Sequence, residues 1–195
     1  MKHIRNTLLA SAVAAALAVP FAAQAESNFT TGNTANITAT ARVNFSVSIP
    51  KFVFLQVGTG PVAPLLTPNA TVDTVAFAVP AANVGDGSNV AGTGGNLTGG
   101  AVTVRVVGNN GNMTLGAVGS GTGLDSAGDT IPWSQILTTT TGGTAHPPIG
   151  GAAVTYTATG KIVNAAGTWT YAYDNSVTPP AGTYTGVVTY TATTP

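Results

Sequence analysis

Cysteine is absent from the 195 residues and charge nearly so: 6 Lys+Arg and 6 Asp+Glu make up 6% of the chain, against roughly 25% in ordinary soluble domains. The first absence excludes a disulfide scaffold and any thiolate-ligated metal. The second excludes nucleic-acid binding by a basic surface, which needs several Lys and Arg on one face. Amphipathic helices are lacking as well, because no window carries a 3.6-residue apolar period. The one long apolar stretch, Leu8 to Phe21, has about 14 residues, short of the roughly 20 that span a bilayer as a helix.

That stretch follows Lys2 and Arg5 and is followed by Ala23-Gln24-Ala25. A basic start, a short apolar run and a small-x-small site are the pattern of a secretory signal peptide. Residues 1–25 are therefore expected to be removed before Glu26, leaving 26–195 as a single exported domain. The remaining chain carries Arg42, Lys51, Arg105 and Lys161 against Glu26, Asp73, Asp86, Asp125, Asp129 and Asp174. Such a near-neutral surface must be hydrated by Thr and Asn, of which the full chain has 33 and 14, and weakly charged surfaces tend to associate. Without disulfides, stability must come from a packed core.

From Ile37 to Ile49 the residues Ile37, Ala39, Ala41, Val43, Phe45, Val47 and Ile49 alternate without a miss against polar neighbours, which predicts a strand with one buried face. Pro50 closes it. Further strand-like runs are Lys51 to Val57, Thr71 to Val79, Ala101 to Val107, Asn112 to Val118, Val154 to Thr159, Thr168 to Tyr173 and Thr183 to Thr193, bounded by Gly, Pro, Asn or Asp. About eight short strands predict an all-β antiparallel β-sandwich, Ig-like or jelly-roll. Gly85 to Gly100 and Gly119 to Gly128 read as surface loops.

Chemistry-bearing residues are sparse. After residue 25 the only histidine is His146, in Ala-His-Pro-Pro; the prolines describe a rigid exposed loop and no base partner is evident. Asp125, Asp129 and Asp86 lie in glycine-rich turns, and the alternating oxygen ligands of an EF-hand calcium loop are missing around them. Gly58-Thr-Gly60-Pro-Val-Ala63 approaches a dinucleotide fingerprint, but Pro61, Pro64 and Pro68 forbid the helix it requires. The Asn-x-Ser/Thr sequons, among them Asn28, Asn36, Asn69, Asn96 and Asn112, are within chance expectation for this composition. Trp169, Tyr171 and Tyr173 share one face of a strand; large aromatics so placed usually face the core, the alternative being a glycan-stacking platform. Trp133 suits either role. No enzyme, cofactor or metal is expected.

The alanine-rich leader, the alternating segment near residue 37 and the closing Ala181-Gly182-Thr183-Tyr184-Thr185-Gly186-Val187-Val188-Thr189-Tyr190, with Gly182 fourteenth from the end, resemble the subunits of bacterial chaperone-usher fimbriae. More loosely, the closing strand is similar to those of other secreted bacterial sandwich domains. The fimbrial resemblance implies an incomplete sandwich that accepts a strand from another subunit, with Ile37 to Ile49 as the donated or edge strand. Pairing of that strand within its own domain is the competing expectation. The implied function is an exported structural or adhesive protein of the cell surface or an extracellular fibre, passing through the periplasm, with copies of itself or related subunits as partners and a periplasmic chaperone in transit. A carbohydrate-binding module and a small outer-membrane barrel are the alternatives.

Overall fold

A computed structural model describes residues 26–33 and 36–195; the expected signal peptide lies outside the described residues. The chain divides after Ile49, and Pro50–Pro195 forms a compact unit of its own. That unit is all-β. Its strands are β1 (Val53–Val57), β2 (Val75–Ala76), β3 (Val90–Ala91), β4 (Thr93–Gly94), β5 (Ala101–Gly108), β6 (Met113–Gly119), β7 (Gly123–Ser126), β8 (Asp129–Pro132), β9 (Ile136–Thr140), β10 (Val154–Tyr156), β11 (Val163–Tyr173) and β12 (Val188–Thr193). The only helical elements among the described residues are the 3-10 turns Ala81–Asn83 and Trp133–Gln135.

Two antiparallel sheets face each other. The larger runs β1-β5-β11-β3, with β9 also paired to β11, and the smaller is β10-β6-β12. Alternation in the sequence decides which side chains lie between them. Val102, Val104 and Val106 of β5, with Val163 and Trp169 of β11, meet Met113 and Leu115 of β6 and Tyr156 of β10. The opposite face of β5 carries Arg105, which is buried beneath the proline-rich loop and donates from Nη1 to the carbonyls of Pro61 (3.2 Å) and Leu65 (3.0 Å). The loop expected at Pro61–Pro68 is therefore a lid on the outer face of the larger sheet. Its entry is a turn in which Asp73 accepts from the backbone N–H and hydroxyl of Thr59.

Several expected boundaries change. The segment 37–49 forms no strand, and the compact unit starts at Pro50 rather than residue 26. Only Val75–Ala76 of the run Thr71 to Val79 is paired, and the last strand begins at Val188 rather than Thr183. Conversely, the glycine-rich stretches contain β3, β4 and β7. They are ordered by polar side chains rather than apolar ones. Asn175, 1% exposed, donates to Asn83 O (2.7 Å) and Asp86 Oδ1 (3.0 Å) and accepts from Gly85 N–H (3.1 Å).

Asn175 also adopts a left-handed backbone, φ 54°, which asparagine tolerates better than most residues. Asn175→Ala would leave Gly85 N–H and Asn83 O without partners in a shielded site. The expected loss is ~2 kcal/mol, read by urea unfolding, with a smaller effect for Asn175→Asp at neutral pH.

Candidate functional site

The alternating segment is exposed on both faces. Phe45 is 90% and Val47 84% accessible, and Ala39 and Ala41 are exposed as well. Its first half is tethered locally. Arg42 forms a two-pronged ion pair with Glu26, Nε to Oε2 at 2.7 Å and Nη2 to Oε1 at 3.1 Å, and the Thr30 hydroxyl donates to Thr38 O at 3.3 Å. The ion pair holds the Glu26 carboxyl below its ordinary range and pushes the Arg42 guanidinium up. Both links join residues whose numbers sum to the same value, so 26–30 and 38–42 lie opposite each other. Beyond Arg42 the stretch Val43 to Ile49 presents Val43, Phe45, Val47 and Ile49 to solvent.

In the Pro50–Pro195 unit, the sandwich is open along one side. A groove of about 510 Å³ runs between β10 and the first half of β11, lined by Gly143, Ala145, Tyr156, Ile162, Val163 and Ala165 among others. Tyr156 and Val163 are core residues, so the groove reaches the space between the sheets. Both its walls are strand edges. β10 pairs only with β6, and β11 pairs with β9 only over Trp169–Tyr173.

Two sets of hydrogen bonds bound the open edge of β11. At one end Thr159 and Ile162 exchange backbone bonds of 2.9 and 3.0 Å; at the other, Thr141 N–H donates to Thr168 O at 3.0 Å. Since Thr168 O points toward the β9 side, the alternation of an antiparallel strand turns the N–H and C=O of Asn164 and Ala166 the same way, and Gly142 lies against the Ala166 carbonyl. Asn164 and Ala166 are both exposed.

The end wall of the groove is the loop Thr144–Pro147, hung from aromatics of three strands. Trp169 Nε1 donates to Thr144 O (2.7 Å), the Tyr156 hydroxyl donates to Ala145 O (2.8 Å), and His146 Nε2 meets the Tyr190 hydroxyl (2.8 Å). Tyr190 in turn meets the Tyr171 hydroxyl at 3.0 Å. The imidazole packs edge-to-face on Trp169, Tyr171 and Tyr190, with centroids 4.6, 5.8 and 5.5 Å away. His146 is thus half-buried, a correction to the exposed loop expected from Pro147 and Pro148. Pro147 itself is fully buried and draws the loop inward.

Burial moves these groups away from catalysis. It pulls His146 down to about 4, pushes Tyr156 up to about 12, and raises Tyr171 and Tyr190. A reluctant base beside a reluctant acid is a poor pair for activating a nucleophile at neutral pH. The cluster joins the two sheets.

The aromatic platform considered for glycans is corrected by the same packing. Trp169 is wholly buried, Tyr173 is 4% exposed, and Tyr171 is half-buried with its hydroxyl bound. Alternation put all three on the inner face, where a sugar ring has no access. Trp133 is half-buried and lies across the backbones of Gly119 and Gly186, where no Cβ intervenes.

Asp125 and Asp129 sit on the β7–β8 hairpin, and Asp86 accepts from Ser88, Asn83 and Asn175, which hold its carboxyl down at about 2. Among the described residues no group of three or more His, Asp or Glu side chains gathers as a metal site, and no helix is long and apolar enough to cross a membrane. Neither a protein-family model, nor a curated protein, nor a solved structure matches the chain.

Proposed function

We propose that this chain is an exported structural subunit of a surface or extracellular fibre, and that copies associate through β-strand pairing. The observation that carries this reading is a complementary pair. The chain holds a groove open to its core between two unpaired strand edges, and it carries an exposed segment of alternating apolar residues that forms no strand. Strand addition would satisfy the open backbone groups and bury the apolar side chains in one step. The near-absence of charge removes the lysines that ordinarily block edge pairing. Export is supported by Ala23-Gln24-Ala25 and its preceding apolar run. Before assembly, the open groove is the surface that a periplasmic chaperone would cover.

Negative-stain electron microscopy and analytical ultracentrifugation of the secreted protein test the reading. Filaments or a concentration-dependent series of oligomers are expected. A monodisperse monomer at high concentration would defeat it.

A further inference from the structure

The turn between β5 and β6 is a junction for three distant parts of the compact unit. Asn109 Oδ1 accepts from Phe52 N–H (3.0 Å), and its Nδ2 donates to Pro50 O (2.8 Å). Asn110 Nδ2 donates to Pro195 O, and the Thr194 hydroxyl donates to Asn110 O at 3.3 Å. Gly111 N–H donates to Lys161 O at 2.9 Å, and Asn112 Oδ1 accepts from Ala158 N–H at 2.9 Å. Consecutive residues thus tie down the entry to β1, the chain after β12 and the turn joining β10 to β11.

Asn110-Gly111 is the one Asn-Gly dipeptide in the sequence. Glycine has no Cβ to keep its backbone nitrogen from the preceding side-chain carbonyl, which makes this pair the most prone to lose ammonia unaided. The fold imposes the dipeptide, because φ at position 111 is 97°, in the left-handed region that favours glycine. We propose that Asn110 is a deamidation site which the fold holds shut, and which release of Thr194 and Pro195 opens.

The reaction needs no partner but water. Gly111 N, its proton lost to solvent, bonds to Asn110 Cγ; the Cγ–Nδ2 bond breaks, and Nδ2 takes a proton from water and leaves as ammonia. Water then opens the five-membered ring. Attack at Cγ breaks the new N–Cγ bond and gives aspartate, whereas attack at the Asn110 backbone carbonyl breaks the original peptide bond and routes the chain through Cβ as isoaspartate. Nothing is oxidised or reduced.

Two contacts oppose the first step. The Gly111 N–H that must ionise is given to Lys161 O, and the amide that must turn toward it is held by Pro195 O. The second contact yields first, since β12 ends at Thr193 and its ladder with β6 ends there too, and residues beyond a ladder open at low cost. The product cannot close again. A carboxylate is an acceptor only, so the modified side chain has no proton to offer the Pro195 carbonyl, and the end of β12 stays loose.

Peptide mapping by mass spectrometry, after incubation of the full chain at mildly alkaline pH with and without denaturing urea, tests the site. Two hydrogen bonds must be given up together in the fold, so Asn110 should convert roughly 10-fold or more slowly in buffer than in urea. Thr194→Val removes one donor from the clamp and leaves the dipeptide intact. It should speed the reaction in buffer by ~3-fold and leave the rate in urea unchanged. Asn110→Asp, which reproduces one product, should keep the circular dichroism spectrum and raise amide hydrogen exchange over Thr191–Thr193 by ~10-fold. Equal rates in buffer and urea would show that the turn does not gate the site. An Asn110 left intact in urea would remove the site altogether, and unchanged exchange in Asn110→Asp would show that the amide does not hold the strand end. Any of these three results overturns the proposal.

Discussion

Trp169→Ala is expected to be the most damaging single substitution in the chain. The indole is fully buried among Val102, Val104, Met113 and Leu115, and truncating a buried tryptophan costs about 3–5 kcal/mol in lost burial and cavity formation. It also removes the donor to Thr144 O, 2.7 Å away, adding ~1–2 kcal/mol for a stranded carbonyl. Against a total stability of about 5–15 kcal/mol for a typical domain, the variant should be largely unfolded at 37 °C or lose roughly 10–20 °C in melting temperature. Trp169→Phe separates the two contributions, since it keeps most of the volume and loses only the N–H. A melting temperature within about two degrees of the unmodified protein for Trp169→Ala, followed by far-ultraviolet circular dichroism, would show that the sheets are not held together here.

Acid should destabilise the fold well above the range in which carboxylates protonate. His146 titrates near 6.5 when unfolded and is pulled to about 4 in the fold by burial. The unfolded chain therefore binds more protons between those values, and stability falls as pH drops from about 6.5 toward 4, levelling below. The gap sets a ceiling of roughly 3 kcal/mol, and partial exposure of the ring reduces the expected loss to ~1–2 kcal/mol. No carboxylate offsets the charge, since the one ion pair among the described residues is Arg42–Glu26. The aromatic faces around the ring attract an imidazolium, but at about 1–2 kcal/mol they do not outweigh its desolvation. Asp86, held down at about 2 by its hydrogen bonds, contributes in a separate window. Its stabilisation is present above about 3.8 and is lost as pH falls through about 2. Urea unfolding between pH 7 and 4 checks the histidine, and His146→Gln should flatten the slope. An unchanged slope in that variant would assign the acid sensitivity elsewhere.

The parts of the fold legible in the sequence are those where alternation meets a partner. Ala101–Gly108 and Met113–Gly119 were readable because Val102, Val104, Val106, Met113 and Leu115 keep strict period and face each other across the core. The most regular alternation of all, Ile37 to Ile49, forms no strand. Periodicity states that a segment can bury one face; pairing also requires an edge to accept it. The short strands Val90–Ala91 and Thr93–Gly94 were hidden because glycine is read as loop, whereas their order comes from backbone bonds and from Asn175, far away in the chain. The groove had no local signal either. It arises from where β9 leaves β11, and it is assembled from positions between Gly143 and Ala165. His146 was misplaced because Pro-Pro marks a turn without saying which side of it faces inward.

The three-aromatic suspension of Thr144–Pro147 gives the molecule a built-in optical probe. Ala145 lines the groove while Trp169, under the adjoining Thr144, holds the same loop from behind. A side chain pressing into the groove would lean on Ala145, whose carbonyl is held by Tyr156, and through the adjoining Thr144 on the indole hydrogen bond. Tryptophan emission is then expected to report occupancy of the groove in unlabelled protein, with Trp133, on Gly119 and Gly186 away from the groove lining, as the background against which a change would be read.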